Sequence, residues 1–149
     1  MTRIDFYILP DTELPARDHF ACRLLHKVCR RGMRAYLHCD SEESAHRLDE
    51  LLWSFRDTSF LPHKLAGSAG APCAIEIGYG NDPGDHHDLL VNLAYAIPSF
   101  FSAFDRVVEI AIQEPGVLEA TRIHYRQYQH KQYPLQKHDL RTPQRPSPV

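Results

Sequence analysis

The chain has 149 residues, 43% of them hydrophobic and 24% charged, and a formal net charge of −2 with its ten histidines neutral. That length supports one domain with a sizeable core, and the balanced charge excludes a protein that grips nucleic acid through a broad positive field. Ten histidines make the net charge sensitive to pH between about 5 and 7.

In chain order, Ile4 to Leu9 is an apolar, β-prone run closed by Pro10. No apolar run approaches the roughly 20 residues of a membrane span. The N-terminus also lacks the basic start and longer apolar stretch of a signal peptide, which predicts a cytoplasmic protein. Asp11 to Pro15 reads as a loop. Ala16 to Arg31 carries Phe20, Leu24, Leu25 and Val28 at helical spacing, with Gly32 as the stop. Arg34 to Cys39 is a second strand. Asp40 or Ser41 then caps a helix that runs to about Trp53. Ser54 to Pro72 reads as a long connection around one short element. Strands follow at Ala74 to Ile77 and Asp88 to Leu93, separated by a polar turn from Gly78 to His87. Pro98 to Phe101 begins a short helical turn, Arg106 to Ile112 is the last strand, and Gly116 to about Tyr133 is the final helix. Residues 134–149 hold four prolines and little that packs, so they read as a mobile tail after one domain spanning 1–133. Strands alternating with helices predict an α/β three-layer sandwich on a mainly parallel sheet.

The usual chemistry of such a fold is missing from the chain. The loop after the first strand, Pro10-Asp11-Thr12-Glu13-Leu14-Pro15, has no glycine, and its two acids oppose a phosphate. Gly67-Ser68-Ala69-Gly70 is the remaining candidate phosphate loop and reads as a plain connector. His86, His87 and Asp88 lie together, with His63 as a distant fourth, but neighbouring strand residues point to opposite faces, so a wet turn is the better reading. Cys22, Cys29, Cys39 and Cys73 form no CxxC pair and read as reduced, buried thiols. GxSxG is absent. A chain of this size without a chemical kit reads as a binding module with no cofactor and no metal.

Two segments carry binding signals. On the final helix Arg122 and Arg126 stand one turn apart, with Tyr125 between them in sequence and Tyr128 beyond. Two guanidinium forks beside a phenol ring suit an acidic peptide that ends in an apolar residue and a free carboxylate. The second signal is Leu52-Trp53-Ser54-Phe55 with Phe60-Leu61-Pro62, where large aromatics flank irregular chain, a frequent setting for interface anchors.

Arg47-Leu48-Asp49-Glu50-Leu51-Leu52-Trp53 and Ser59-Phe60-Leu61-Pro62-His63-Lys64-Leu65-Ala66-Gly67 are the most specific parts of a wider likeness. It begins at Phe6-Tyr7-Ile8-Leu9 and ends at Arg122-Ile123-His124-Tyr125-Arg126-Gln127-Tyr128. Over residues 1 to 133 the chain resembles the chi subunit of bacterial DNA polymerase III. The resemblance implies a Rossmann-like fold that has lost nucleotide binding. It implies a non-catalytic accessory subunit of the clamp loader complex that pairs with the psi subunit. It also implies capture of the acidic C-terminal tail of single-stranded DNA-binding protein, and a surface shared between psi and a repair helicase. Carried over by position, the tail site comprises Arg122, Tyr125, Arg126 and Tyr128, and the psi or helicase site Leu52, Trp53, Phe60 and Pro62. Where the family often has a lysine early in the last helix, this chain has Leu118. The alternatives are a small nucleotide-dependent enzyme on the same fold and a direct binder of single-stranded DNA.

Overall fold

The computed structural model describes residues 2–54, 62–68, 70, 73–80 and 83–141. Seven strands form one sheet: β1 (Arg3–Ile8), β2 (Ala35–Cys39), β3 (His63–Leu65), β4 (Ile75–Tyr79), β5 (Leu89–Asn92), β6 (Arg106–Ala111) and β7 (Leu135–Asp139). Their order is β3-β4-β2-β5-β6-β1-β7, and every pairing is parallel. Three helices are described: α1 (Leu14–Arg30), α2 (Glu42–Ser54) and α3 (Pro115–His130), with a 3-10 turn at Phe101–Ala103. None of the described helices is long and apolar enough to cross a membrane. The architecture is the α/β sandwich that the alternating pattern predicts.

Strand alternation divides the core into two layers. Ala35, Leu37 and Cys39 of β2, with Leu89, Val91, Val108 and Ile110, pack under Leu25 and Val28 of α1 and Leu48 and Leu52 of α2. Ile4, Phe6, Tyr36, Leu90 and Val107 face the other way, against Tyr128 of α3, Phe101 and Phe104. Cys22 and Cys39 are buried, and burial, followed by the charge of Asp18, pushes both thiols up to about 12. Cys29 and Cys73 are only half-buried.

Local signals set the helix ends. Ser41, rather than Asp40, caps α2, its hydroxyl accepting from the Ser44 N–H at 3.2 Å. Gly32 takes a φ of +75° just beyond α1. β4 runs two residues past the expected strand end at Ile77, so Gly78 lies inside the sheet and not in a turn. A Cβ there would fall 1.9 Å from the Tyr36 hydroxyl, so the glycine admits the tyrosine ring across β4. The short element expected between α2 and β4 is β3; Phe60 and Leu61 lie outside the described residues.

The larger correction is at the C-terminus. Arg106 to Ile112 is not the last strand, and the chain does not become a tail at Pro134. β7 pairs with β1 in the register Ile4↔Leu135, Phe6↔Lys137 and Ile8↔Asp139. The His138 ring stacks on Tyr7 with centroids 4.4 Å apart. Its Nε2 donates to the buried Asp5 carboxylate at 3.1 Å, and Arg106 Nε donates to the same carboxylate at 2.6 Å. Burial raises the Asp5 pKa, but the bonds from Arg106 and His138 outweigh it and hold it below the usual carboxylate value. Leu135 packs on the layer containing Ile4 and Phe6. These contacts draw a polar segment into the sheet despite its weak strand signal.

Candidate functional site

Three of the four side chains flagged on the last helix, Arg122, Tyr125 and Arg126, line one depression over the β1–β7 edge. α3 starts at Glu114, whose carboxylate accepts from Gly116 N–H at 3.1 Å and Val117 N–H at 2.8 Å, with Pro115 in the first turn. Each further residue turns the helix by about 100°. Val117, His124 and Tyr128 thus face inward and are buried, while Arg122 and Arg126 crown the outer face and are exposed. Tyr125 lies on one flank, half-buried, edge-on to Phe6 with centroids 5.2 Å apart.

Beside that flank is a depression of about 270 Å³, floored by Phe6, Ile8, Leu118 and Tyr125 and rimmed by Arg122, Arg126, Lys137 and Arg141. Its size suits one side chain and a carboxylate better than a cofactor, whose pockets start at about 300 Å³. Among the described residues, neither Arg122 nor Arg126 has a carboxylate within ion-pairing distance. Lys137 Nζ lies 4.8 Å from the centre of the Tyr125 ring. Arg141 is engaged by Asp139, at 2.9 Å from Nε and 2.6 Å from Nη2. Those bonds hold the Asp139 carboxyl down at about 2.

Lys137 and Arg141 do not emerge from the sequence reading, because they belong to the segment read as a tail. The signal available was the alternation in Leu135-Gln136-Lys137, which puts Lys137 on the same face as Leu135 and Phe6. Leu118 forms part of the apolar floor. Cations from β7 and the chain just after it supplement the rim.

Tyr128 does not join this surface. It is fully buried and its hydroxyl donates to Glu109 Oε2 at 2.9 Å. Burial, then the Glu109 charge, raises its pKa. The same Oε2 accepts from Asn92 Nδ2 at 2.9 Å, and Oε1 accepts from His124 Nδ1 at 3.0 Å. His124 Nε2 donates in turn to the Tyr95 carbonyl at 2.8 Å. Both ring nitrogens face acceptors, an arrangement that favours the doubly protonated ring. Burial alone lowers the His124 pKa; the bond and charge of Glu109 and the Tyr95 carbonyl outweigh it, and the net shift is upward.

The second predicted surface is placed only in part. Trp53 ends α2 with 58% of its surface exposed and its ring centre 4.6 Å from that of His63. Pro62 is exposed. Leu52 is not a surface residue: it is 4% exposed and packs in the α1–α2 layer. Phe60 lies outside the described residues.

The segments weighed for other chemistry are occupied by internal contacts. Lys64 Nζ donates to the Ser68 and Gly70 carbonyls, and the Ser68 hydroxyl to the Leu65 carbonyl at 2.6 Å, so Ser68 and Gly70 are engaged by β3. His86 is buried beside Glu76 at 3.4 Å, whereas the His87 side chain is 67% exposed and lies beside Asp88. Among the described residues, no three His, Cys, Asp or Glu side chains are grouped to hold a metal ion.

A family model described as "DNA polymerase III chi subunit, HolC" matches residues 1–136. The chain is 45% identical over 140 residues to a Pseudomonas aeruginosa protein named DNA polymerase III subunit chi, covering 94% of this chain and 98% of that one. Proteins of the same name from Escherichia coli and Haemophilus influenzae are 33% and 32% identical, over 86% and 82% of this chain and 91% and 86% of theirs.

Proposed function

Because this chain belongs to the DNA polymerase III chi subunit family, we propose that it is a non-catalytic accessory subunit of that polymerase assembly in the cytoplasm. In this reading it pairs with psi and captures the acidic C-terminal tail of single-stranded DNA-binding protein, tying the replication machinery to coated template strands. The observation that carries the tail site is the pair Arg122 and Arg126, exposed above an apolar depression and free of internal carboxylates among the described residues. A buried guanidinium pair would already be neutralised; an exposed one is available for a carboxylate.

The peptide's terminal carboxylate meets the Arg122 and Arg126 forks, and its last apolar side chain enters the depression against Tyr125, Phe6 and Leu118. The acid next to the terminal residue meets Lys137 and Arg141, the latter in competition with Asp139. These contacts are partly wet, so affinity is moderate and falls with salt. Titration of an acidic, Phe-ended peptide into Arg126→Glu should show affinity reduced at least about tenfold, the effect of losing one charge-assisted contact and adding one repulsion. Unchanged affinity refutes the placement.

The exposed Trp53, its ring tilted against that of His63, and the exposed Pro62 support the psi-facing or helicase-facing site on the opposite layer. Trp53→Ala should fail to co-purify psi while keeping its fold; full retention of psi would reassign Trp53.

A further inference from the structure

α3 has a second flank. Opposite the depression just described, Ile123, Gln127 and His130 border a larger open groove of about 740 Å³ between α3 and the loop that follows β5. Tyr95, Ile97 and Ile123 give it an apolar surface, and Arg126, His130 and Lys131 stand along it. Tyr95 and Ile123 are two of the few large apolar side chains that the described residues expose, at 53% and 38%. Lys131 Nζ sits 5.3 Å from the centre of the Phe101 ring, holding a cation over an aromatic part of the lining.

The wall of this groove is fixed. The Tyr95 N–H donates to Asp40 Oδ1 at 2.9 Å and its carbonyl accepts from the buried His124 at 2.8 Å. Asn92 Nδ2 donates to the Ala96 carbonyl at 3.2 Å, and Asn92 Oδ1 accepts from the Ala94 N–H at 3.1 Å. The buried Asn92 and His124 and the exposed Asp40 therefore tether the loop's backbone, leaving the Tyr95 ring in solvent. Such preorganisation lowers the ordering cost of binding.

Arg126 lines both concavities. A chain whose end sits at Arg122 and Arg126 has to pass this residue to leave toward the second groove. The ridge is one helix, about 10 Å across, which about three or four extended residues cross.

We propose that the two concavities form one bipartite site, in which the groove of Tyr95, Ile123 and Lys131 takes the upstream part of the same acidic peptide whose end occupies the Arg122–Tyr125–Lys137 depression. The inference rests on the tail-binding reading given above. It adds a ligand requirement: further acidic residues, with an apolar side chain among them, upstream of the terminal carboxylate. Charge complementarity selects this occupant, since the cations along the groove match acids and the apolar surface between them matches a side chain.

The test uses two synthetic peptides with the same Phe-ended, free-carboxylate terminus: one of about four residues, and one of about ten that adds aspartates and one apolar residue. Each is titrated into the full-length protein and into Ile123→Asp, Lys131→Glu and Arg122→Glu, with circular dichroism checking that each variant is folded. The longer peptide should bind the unaltered protein about tenfold tighter, a gain on the scale of one buried apolar side chain with surface ion pairs. Ile123→Asp and Lys131→Glu should remove most of that gain and leave the short peptide unaffected, whereas Arg122→Glu should weaken both. Equal affinity for the two lengths, or a gain that survives both groove variants, overturns the bipartite site while leaving the tail pocket standing. Failure of the short peptide to bind at all overturns the tail reading and this extension with it. A single-stranded oligonucleotide that binds the unaltered protein and is lost with Lys131→Glu reassigns the groove to nucleic acid.

Discussion

Glu109 is a carboxylate 3% exposed in the middle of β6, and its two oxygens accept from Asn92, His124 and Tyr128. Three hydrogen-bond partners are what make a carboxyl group tolerable at that depth. Glu109→Ala should therefore destabilise the fold by about 3–5 kcal/mol, the usual cost of removing one partner from a buried pair; chemical denaturation measures it. His124 gives the matching pH dependence. Its folded pKa is raised above the 6.5 of a free imidazole, so its contribution is complete below about pH 6.5 and is lost as pH rises through the folded pKa. The stability difference between the unaltered protein and His124→Gln should shrink as pH rises above about 6.5; a constant difference would refute the raised His124 pKa. From the sequence, Arg122, Tyr125 and Arg126 could be found because helical spacing fixes their angular positions. Tyr128 could not be sorted from them: it is one turn past His124, and only the buried Glu109 shows that this stripe faces inward. A lone glutamate between valines and isoleucines was the available clue.

Among the elements, β7 shows where sequence reasoning stops. α3 ends without glycine: Gln132 itself takes a φ of +64°, and the Tyr133 N–H then bonds the Tyr128 carbonyl. With no glycine to mark the stop, the helix reads on to Tyr133 and the strand beyond is hidden. Its partners also lie far away in sequence, since Asp5 and Tyr7 hold His138 from more than 130 residues upstream. β1, β2, β4, β5 and β6 are legible because their faces are largely apolar and their runs end at polar turns, whereas β3, His63-Lys64-Leu65, carries little strand signal. Ending the chain after Tyr133 should cost at least about 2 kcal/mol, because it uncovers Phe6, Ile4 and Tyr125. It should also weaken acidic-peptide binding through the loss of Lys137 and Arg141. Ending it after Arg141 should restore both. Equal melting temperatures for the two truncations would show that β7 is dispensable.

For the molecule as a whole, the sheet separates the two surfaces. Trp53 closes α2 on the layer built by α1 and α2, and the arginine face of α3 lies on the other layer, above Phe6. Under the proposed assignment, saturating one surface should change affinity for the other less than about twofold, since one continuous parallel sheet lies between them; calorimetric titration of peptide into the free protein and into its psi complex tests this. A shift of tenfold or more would reveal coupling through the strands.

The descent from α3 into β7 has a mechanical corollary. Residues 115–141 supply one wall of the depression and all four of its cations, and the final strand of that stretch is a sheet margin held, among the described residues, by one neighbour, β1. Under the tail-binding proposal, load applied to a captured tail would enter the fold through its outermost lamina, and shear across a parallel β1–β7 seam must break its hydrogen bonds together, whereas peeling would break them one by one. The grip should be firmest when the tether is drawn along that seam.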